Sequence, residues 1–102
     1  MGRAIVRPAA RRDLIRHFAF IGENSNLATA RRFLVAAHLT FGELARAPHI
    51  GAPRQVAKFP SLRMWRVQDF EKHLIFYQPI RDGVQIERII HAAQDYTRLL
   101  AP

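Results

Sequence analysis

The stretch HLIFYQPIRDGVQIERIIH, His73 to His91, decides the fold. Two apolar runs rich in β-branched and aromatic residues meet at Arg81-Asp82-Gly83, which is the composition of two antiparallel strands around a tight turn. Each run ends in a histidine at its far end, and the register of the hairpin sets whether the two imidazoles meet. A three-residue Arg81-Asp82-Gly83 loop with Gly83 in the left-handed region puts Ile80 opposite Val84 and His73 opposite His91. A type I′ loop built on Asp82-Gly83 alone slips the pairing and sends the imidazoles to opposite faces. Both loops suit these residues.

A third strand-like run, Leu62 to Gln68, precedes the hairpin across the short connection DFEK, so Leu62–Gln68, His73–Ile80 and Val84–His91 predict an antiparallel meander. Trp65 and Arg66 alternate within the first run and point to opposite faces, which reads Trp65 as sheet core. Upstream, the prolines at 48, 53 and 60 make Pro48 to Ser61 a loop or a short edge strand, because proline cannot donate to a central ladder.

The N-terminal half is helical. Arg3 to Arg7 is a short strand ended by Pro8, whose fixed φ suits a helix start. From Pro8 to about Ile21, Leu14, Phe18 and Ile21 recur at helical spacing with Ala10 and Ile15 flanking, while Arg12, Arg16 and Glu23 fall opposite. The tight connection Gly22 to Asn26 offers Asn26 as an N-cap for a second helix, Leu27 to about Arg46. Its stripe is Leu27, Ala30, Phe33, Leu34, Ala37, Phe41 and Leu44, and Pro48, Gly51 and Pro53 end it. Val35 and Leu39 lie off that stripe beside Arg31, Arg32 and Arg46; such residues are either scattered surface or a partner groove. Gln94 to Leu100 reads as a short helix or docking arm. Helices so closely joined lie antiparallel, and their common apolar face needs a sheet to cover it. The expected fold is therefore α+β: a two-layer βααβββ domain spanning residues 1–102, with an N-terminal strand, a helical hairpin on an antiparallel sheet, and a short C-terminal appendage.

Charge narrows the partners. Lys plus Arg is 16 against 8 acids, for a net charge of +8, and only Lys58 and Lys72 are lysines. The rest is guanidinium, whose planar fork suits carboxylates and phosphates, so the expected partner is acidic: nucleic acid or an acidic protein segment. No apolar run approaches a membrane span, and the first residues lack a secretory h-region, so a cytoplasmic protein with no membrane partner is expected. With no cysteine there is no disulfide, thiol nucleophile or thiolate metal site.

Most catalytic chemistry lacks its residues. His17, His38, His49, His73 and His91 show no i,i+3 or i,i+4 pairing, so no metal and no cofactor is implied. Ser25 and Ser61 stand in no nucleophile-elbow context, and neither type of Gly-rich phosphate loop occurs. Metal-free RNA cleavage needs only a base, an acid and cations for the phosphorane. The sheet supplies such types in Arg63, Arg66, Lys72, His73, Tyr77, Arg88 and His91; each has an equally simple structural use on a strand.

Taken with the opening strand, PAARRDL, ATARRFL, LARAPHIGAPR, HLIFYQPIRDGVQIERIIHAAQD and the terminal RLL resemble the ParE branch of the ParE/RelE toxin superfamily along nearly the whole chain. That resemblance implies the toxin of a type II toxin-antitoxin module: a non-enzymatic inhibitor of DNA gyrase. It further implies neutralisation by an acidic ribbon-helix-helix antitoxin in a hetero-oligomer, with no sequence-specific nucleic-acid binding by the toxin alone. On this reading Arg31, Arg32, Val35, Leu39, Arg46, Arg63 and Arg66 form the antitoxin surface, and Arg98, Leu99 and Leu100 contact the target. RelE-like relatives are ribosome-dependent mRNA endonucleases, and His73, Tyr77, Arg88 and His91 are the candidates for that alternative; an inactive antitoxin-binding module is the third. Where RelE-like enzymes carry an arginine early in the third strand this chain has Leu74, and near the last strand's end it has Ala92, Ala93 and Gln94. ParE relatives often read HGxRD there, so HAAQD departs from both branches.

Overall fold

The computed structural model describes residues 2–101. Pro8 divides the N-terminus into strand β1 (Arg3–Val6) and helix α1 (Pro8–Asn24). Helix α1 runs through Gly22, so only Ser25 and Asn26 separate it from α2 (Leu27–Arg46), whose first turn is capped by the Asn26 side chain accepting from the Thr29 amide at 2.8 Å. A two-residue edge strand β2 (Ala52–Pro53) follows, then the meander β3 (Arg63–Val67), β4 (Phe70–Ile80) and β5 (Gly83–His91), and a single turn of helix α3 (Tyr96–Leu99). The expected βααβββ α+β arrangement is present, with strand order β1-β5-β4-β3-β2. The meander is antiparallel as the sequence indicates, but β1 joins β5 in parallel and makes the sheet mixed.

Neither expected hairpin loop forms. Ile80 pairs with Gly83, leaving Arg81 and Asp82 as the two-residue turn. Gly83 has φ +151°, and a Cβ there would strike the backbone of Arg3, so glycine is required both by conformation and by the approach of β1. The register then shifts by one between Phe76 and Tyr77, which face Arg88 and Ile86. This β-bulge at Glu87 cancels the shorter turn, so His73 still lies opposite His91. The helix-facing row of β5 accordingly runs Val84, Ile86, Ile89, its last step three residues instead of two.

The main core lies between helices and sheet. Ala10, Leu14 and Ile21 of α1 and Ala30, Phe33, Ala37, Phe41 and Leu44 of α2 pack on Val67, Ile75, Tyr77, Val84, Ile86 and Ile89. Phe18 and Leu34 are only half-buried, while Ile15 and Leu27 are exposed, so the buried stripes are narrower than the periodicity indicates. The far face of the sheet, which the two-layer reading leaves bare, carries a second cluster of Leu62, Phe76, Ile90 and Leu100. Residues of the proline-rich loop and α3 close it, with Tyr96 stacked on Phe76 at 4.9 Å.

One device holds the layers in register. β1 stops opposite Ile86, yet β5 continues to His91, so the outer backbone groups of Ile89 and His91 have no strand beside them. Helix α1 takes over the edge: buried Asp13 accepts from the Ile89 amide at 2.9 Å, and His17 Nε2, one turn later, donates to the Ile89 carbonyl at 2.9 Å. Asp13 also holds the Arg88 guanidinium through Nε at 2.7 Å and Nη2 at 3.0 Å, and meets Arg16. At His91 the side chain of Gln94 accepts from the amide and the Gln94 amide donates to the carbonyl.

Removing one partner of a buried pair leaves the other uncompensated. Asp13→Ala is therefore expected to lower stability by about 3 kcal/mol, a large part of the roughly 5–15 kcal/mol a small domain possesses. Asp13→Asn keeps an acceptor for the Ile89 amide and should lose less. Urea unfolding tests both, and an Asp13→Ala midpoint equal to that of the unaltered chain would rule out this role.

Candidate functional site: a groove along the second helix

The outer face of α2 carries an exposed apolar strip in a basic setting. Val35 and Leu39 are each 61% exposed, and with Arg31, Arg32 and Thr29 they form one wall of a groove of about 640 Å³. The opposite wall is the β3–β4 turn, Gln68, Asp69 and Phe70. Asp69 sits at φ +66°, and the Gln68 amide donates to Thr40 Oγ1 at 3.1 Å, which fastens this turn to α2. Arg32 donates to Thr29 Oγ1 at 3.1 Å, and among the described residues neither Arg31 nor Arg32 has a carboxylate within ion-pair distance. An apolar floor flanked by unpaired guanidinium groups suits an amphipathic acidic segment.

Of the expected antitoxin residues, Arg31, Arg32, Val35 and Leu39 come together here. Arg46 lies at the far end of α2, Arg63 donates to the His49 and Gly51 carbonyls at 3.1 and 2.7 Å, and Arg66 stands on the outer part of β3. The groove's second wall escapes sequence reading because it depends on the turn at Asp69. DFEK reads as a four-residue connection, whereas Phe70 to Lys72 already belong to β4.

The nuclease candidates are held in structural contacts. Tyr77 is buried; its hydroxyl donates to the Pro48 carbonyl and accepts from the Gly51 amide, each at 2.9 Å, and burial raises its pKa. Arg88 is engaged by Asp13, whose hydrogen bonds raise its pKa further. His73 and His91 do meet, at 5.1 Å between ring centroids, and His17 joins them at 4.9 Å from His73. His73 also lies 4.8 Å from Phe33. Burial, then the neighbouring His17 and His91, push the His73 pKa down to about 4, and burial lowers that of His17. These rings floor a cleft rimmed by Phe20, which is 62% exposed. Among the described residues no group of three or more His, Cys, Asp or Glu side chains is placed to hold a metal ion.

The expected target triplet divides. Arg98 and Leu99 are exposed, but Leu100 is 3% exposed and fills the far-face core, so it is a packing residue in this structure. The alternation of exposure is what a one-turn helix imposes, and the RLL tract does not reveal it. Leu74 belongs to that same far-face cluster, and Gln94 closes the β5 edge, so both positions where RelE-like enzymes carry arginine serve packing or backbone pairing.

A family model described as the ParE toxin of type II toxin-antitoxin system, parDE, matches residues 4–96. The chain belongs to the ParE toxin family. Its fold is similar to that of a chain from the chromosomal ParDE TA system from P. aeruginosa, with a TM-score of 0.72 and 16% identity over 89% of this chain and 96% of that one. No curated protein matches it. Among the described residues of this ParE-family chain, no helix is long and apolar enough to cross a membrane.

The half-buried imidazoles of the ParE-family chain give its stability a pH dependence. Unfolded histidine titrates near 6.5 and folded His73 near 4, so the unfolded chain binds more protons between those values and stability falls as pH drops through that window. The expected loss is on the order of 1–2 kcal/mol, discounted for partial exposure. His73→Phe, which keeps a ring beside Phe33, should flatten the slope of unfolding free energy against pH; an unchanged slope assigns it to other groups.

Proposed function

We propose that this chain is the toxin of a type II toxin-antitoxin module, a single domain acting in the cytoplasm as a non-enzymatic inhibitor of DNA gyrase. An acidic ribbon-helix-helix antitoxin holds it inactive by laying a segment that folds on binding into the α2 groove. The observation that carries the antitoxin part is the placement of Val35 and Leu39 across from Phe70, beside Arg31 and Arg32, which have no carboxylate partner among the described residues. Ordering a disordered acidic segment is unfavourable, and apolar burial plus charge pairing at one place offsets that loss. The gyrase part is supported by family membership. The non-enzymatic part is supported by Tyr77 and Arg88, whose reactive groups are occupied, and by a desolvated His73.

Purified chain is expected to block gyrase supercoiling, with reversal by the acidic protein encoded beside it; no effect at large molar excess overturns the gyrase part. Messenger RNA should stay intact during growth arrest, and codon-positioned cuts would instead indicate the RelE-type endonuclease. Val35→Glu with Leu39→Glu removes the apolar contact and opposes an acidic partner. Because both side chains are exposed, this variant should fold normally and bind the antitoxin about 100-fold more weakly, or about 3 kcal/mol, as read by calorimetry. Unchanged affinity would move the antitoxin elsewhere.

A further inference from the structure

Two buried side-chain nitrogens among the described residues have no hydrogen-bond partner, Trp65 Nε1 and Arg66 Nη1, and they belong to adjacent residues. Buried donors are nearly always paired, because each one left unpaired costs about 1–3 kcal/mol. These two lie where the sheet edge opens. β2 meets β3 only at Met64 and Arg63. Strand alternation turns the amide and carbonyl of Arg66 to that same outer edge, where among the described residues no backbone group from a loop or turn meets them. The Arg66 guanidinium carbon lies 4.7 Å from the Trp65 ring centroid, so the two unpartnered donors belong to one stacked cation–π pair.

Adjacent stacked residues thus each hold a side-chain N–H without an acceptor, on a strand whose backbone edge opens at Arg66. The surroundings favour an anion: the net charge is +8, Arg63 is on the same strand, and among the described residues Arg66 has no carboxylate within ion-pair distance. The open amide and carbonyl of Arg66 favour a peptide over a nucleic acid, since a strand backbone returns both a donor and an acceptor and a phosphodiester returns only acceptors. The groove wall at Gln68 follows Val67 directly, so one extended segment reaches both places. We propose that Trp65 and Arg66 form a carboxylate-receiving notch at the open edge of β3, which takes an Asp or Glu side chain from an acidic segment of the antitoxin whose backbone lies beside Arg66. The notch rests on the antitoxin reading above and extends it to Trp65, whose ring otherwise reads as core alone.

Trp65 is the one tryptophan of the chain, so its indole gives a single N–H resonance. The full 15N-labelled chain is titrated with a short acetylated peptide of alternating Val and Glu, with its Val and Gln counterpart, and with a short single-stranded DNA. The Val/Glu peptide is expected to shift the indole resonance downfield and protect the Arg66 amide from exchange. It should bind about tenfold more tightly than the Val/Gln peptide. Trp65→Phe keeps an aromatic ring without the donor, and Arg66→Met keeps an apolar stem without the charge. Each should lose about tenfold in affinity while retaining a dispersed amide spectrum. Four outcomes each overturn the notch: no binding of the Val/Glu peptide, equal affinity for the Val/Gln peptide, an indole and Arg66 amide unmoved in the complex, or a shift produced by DNA alone. Antitoxin binding is scored separately. A Trp65→Phe chain that holds the antitoxin with unchanged affinity overturns the notch and leaves the toxin-antitoxin reading standing, whereas failure of the unaltered chain to bind any antitoxin overturns that reading.

Discussion

The Asp13 carboxylate is the constraint on which the arrangement turns. A nine-residue last strand beside a four-residue first strand leaves backbone groups exposed along half an edge, and a helix cannot ordinarily pair with a sheet edge. Asp13 and His17, one turn apart on α1, reach the amide and carbonyl of the same residue, Ile89. Helix α1 thereby continues the line of β1 along β5, and a buried carboxylate is tolerated because Arg88, Arg16 and the Ile89 amide together satisfy it.

This use of residues bears on function. The arginine nearest a nuclease role is bound to a carboxylate, the tyrosine is fixed between two backbone groups, and the histidines that pair across the hairpin are packed against Phe33 and each other. Contact surface is available elsewhere: the apolar strip of α2, whose Arg31 and Arg32 have no carboxylate partner among the described residues, and the edge of β3 beyond Met64.

Much of the fold was legible because helical periodicity and Pro8, Asn26 and Pro48 mark the helices independently of tertiary contacts. The hairpin was legible in outcome and not in detail. Loop chemistry at Arg81-Asp82-Gly83 permits more than one turn, and the bulge at Glu87 that compensates the chosen one has no local signature; it accompanies the approach of Gly83 to Arg3 and the bond from Arg88 to Asp13, both distant in sequence. Parallel pairing of β1 is likewise invisible in a four-residue run. The groove's α2 wall could be read from Val35 and Leu39, whereas its other wall needed the Asp69 turn. The core role of Leu100 is not visible in the RLL tract, because the far-face cluster draws on Leu62, Phe76 and Ile90, which are scattered in sequence.

The parallel joining of β1 to β5 also orders events in time. Arg3 pairs with Gly83, 80 positions further along, and Asp13 waits for Ile89, so a chain emerging from its N-terminus carries an unpaired strand and an unmatched carboxylate until its last strand has been made. Such non-local closure is slow relative to forming the helical hairpin. Residues of α2 are thus joined by local contacts, whereas the sheet that covers them is closed by pairings 76 to 80 positions apart.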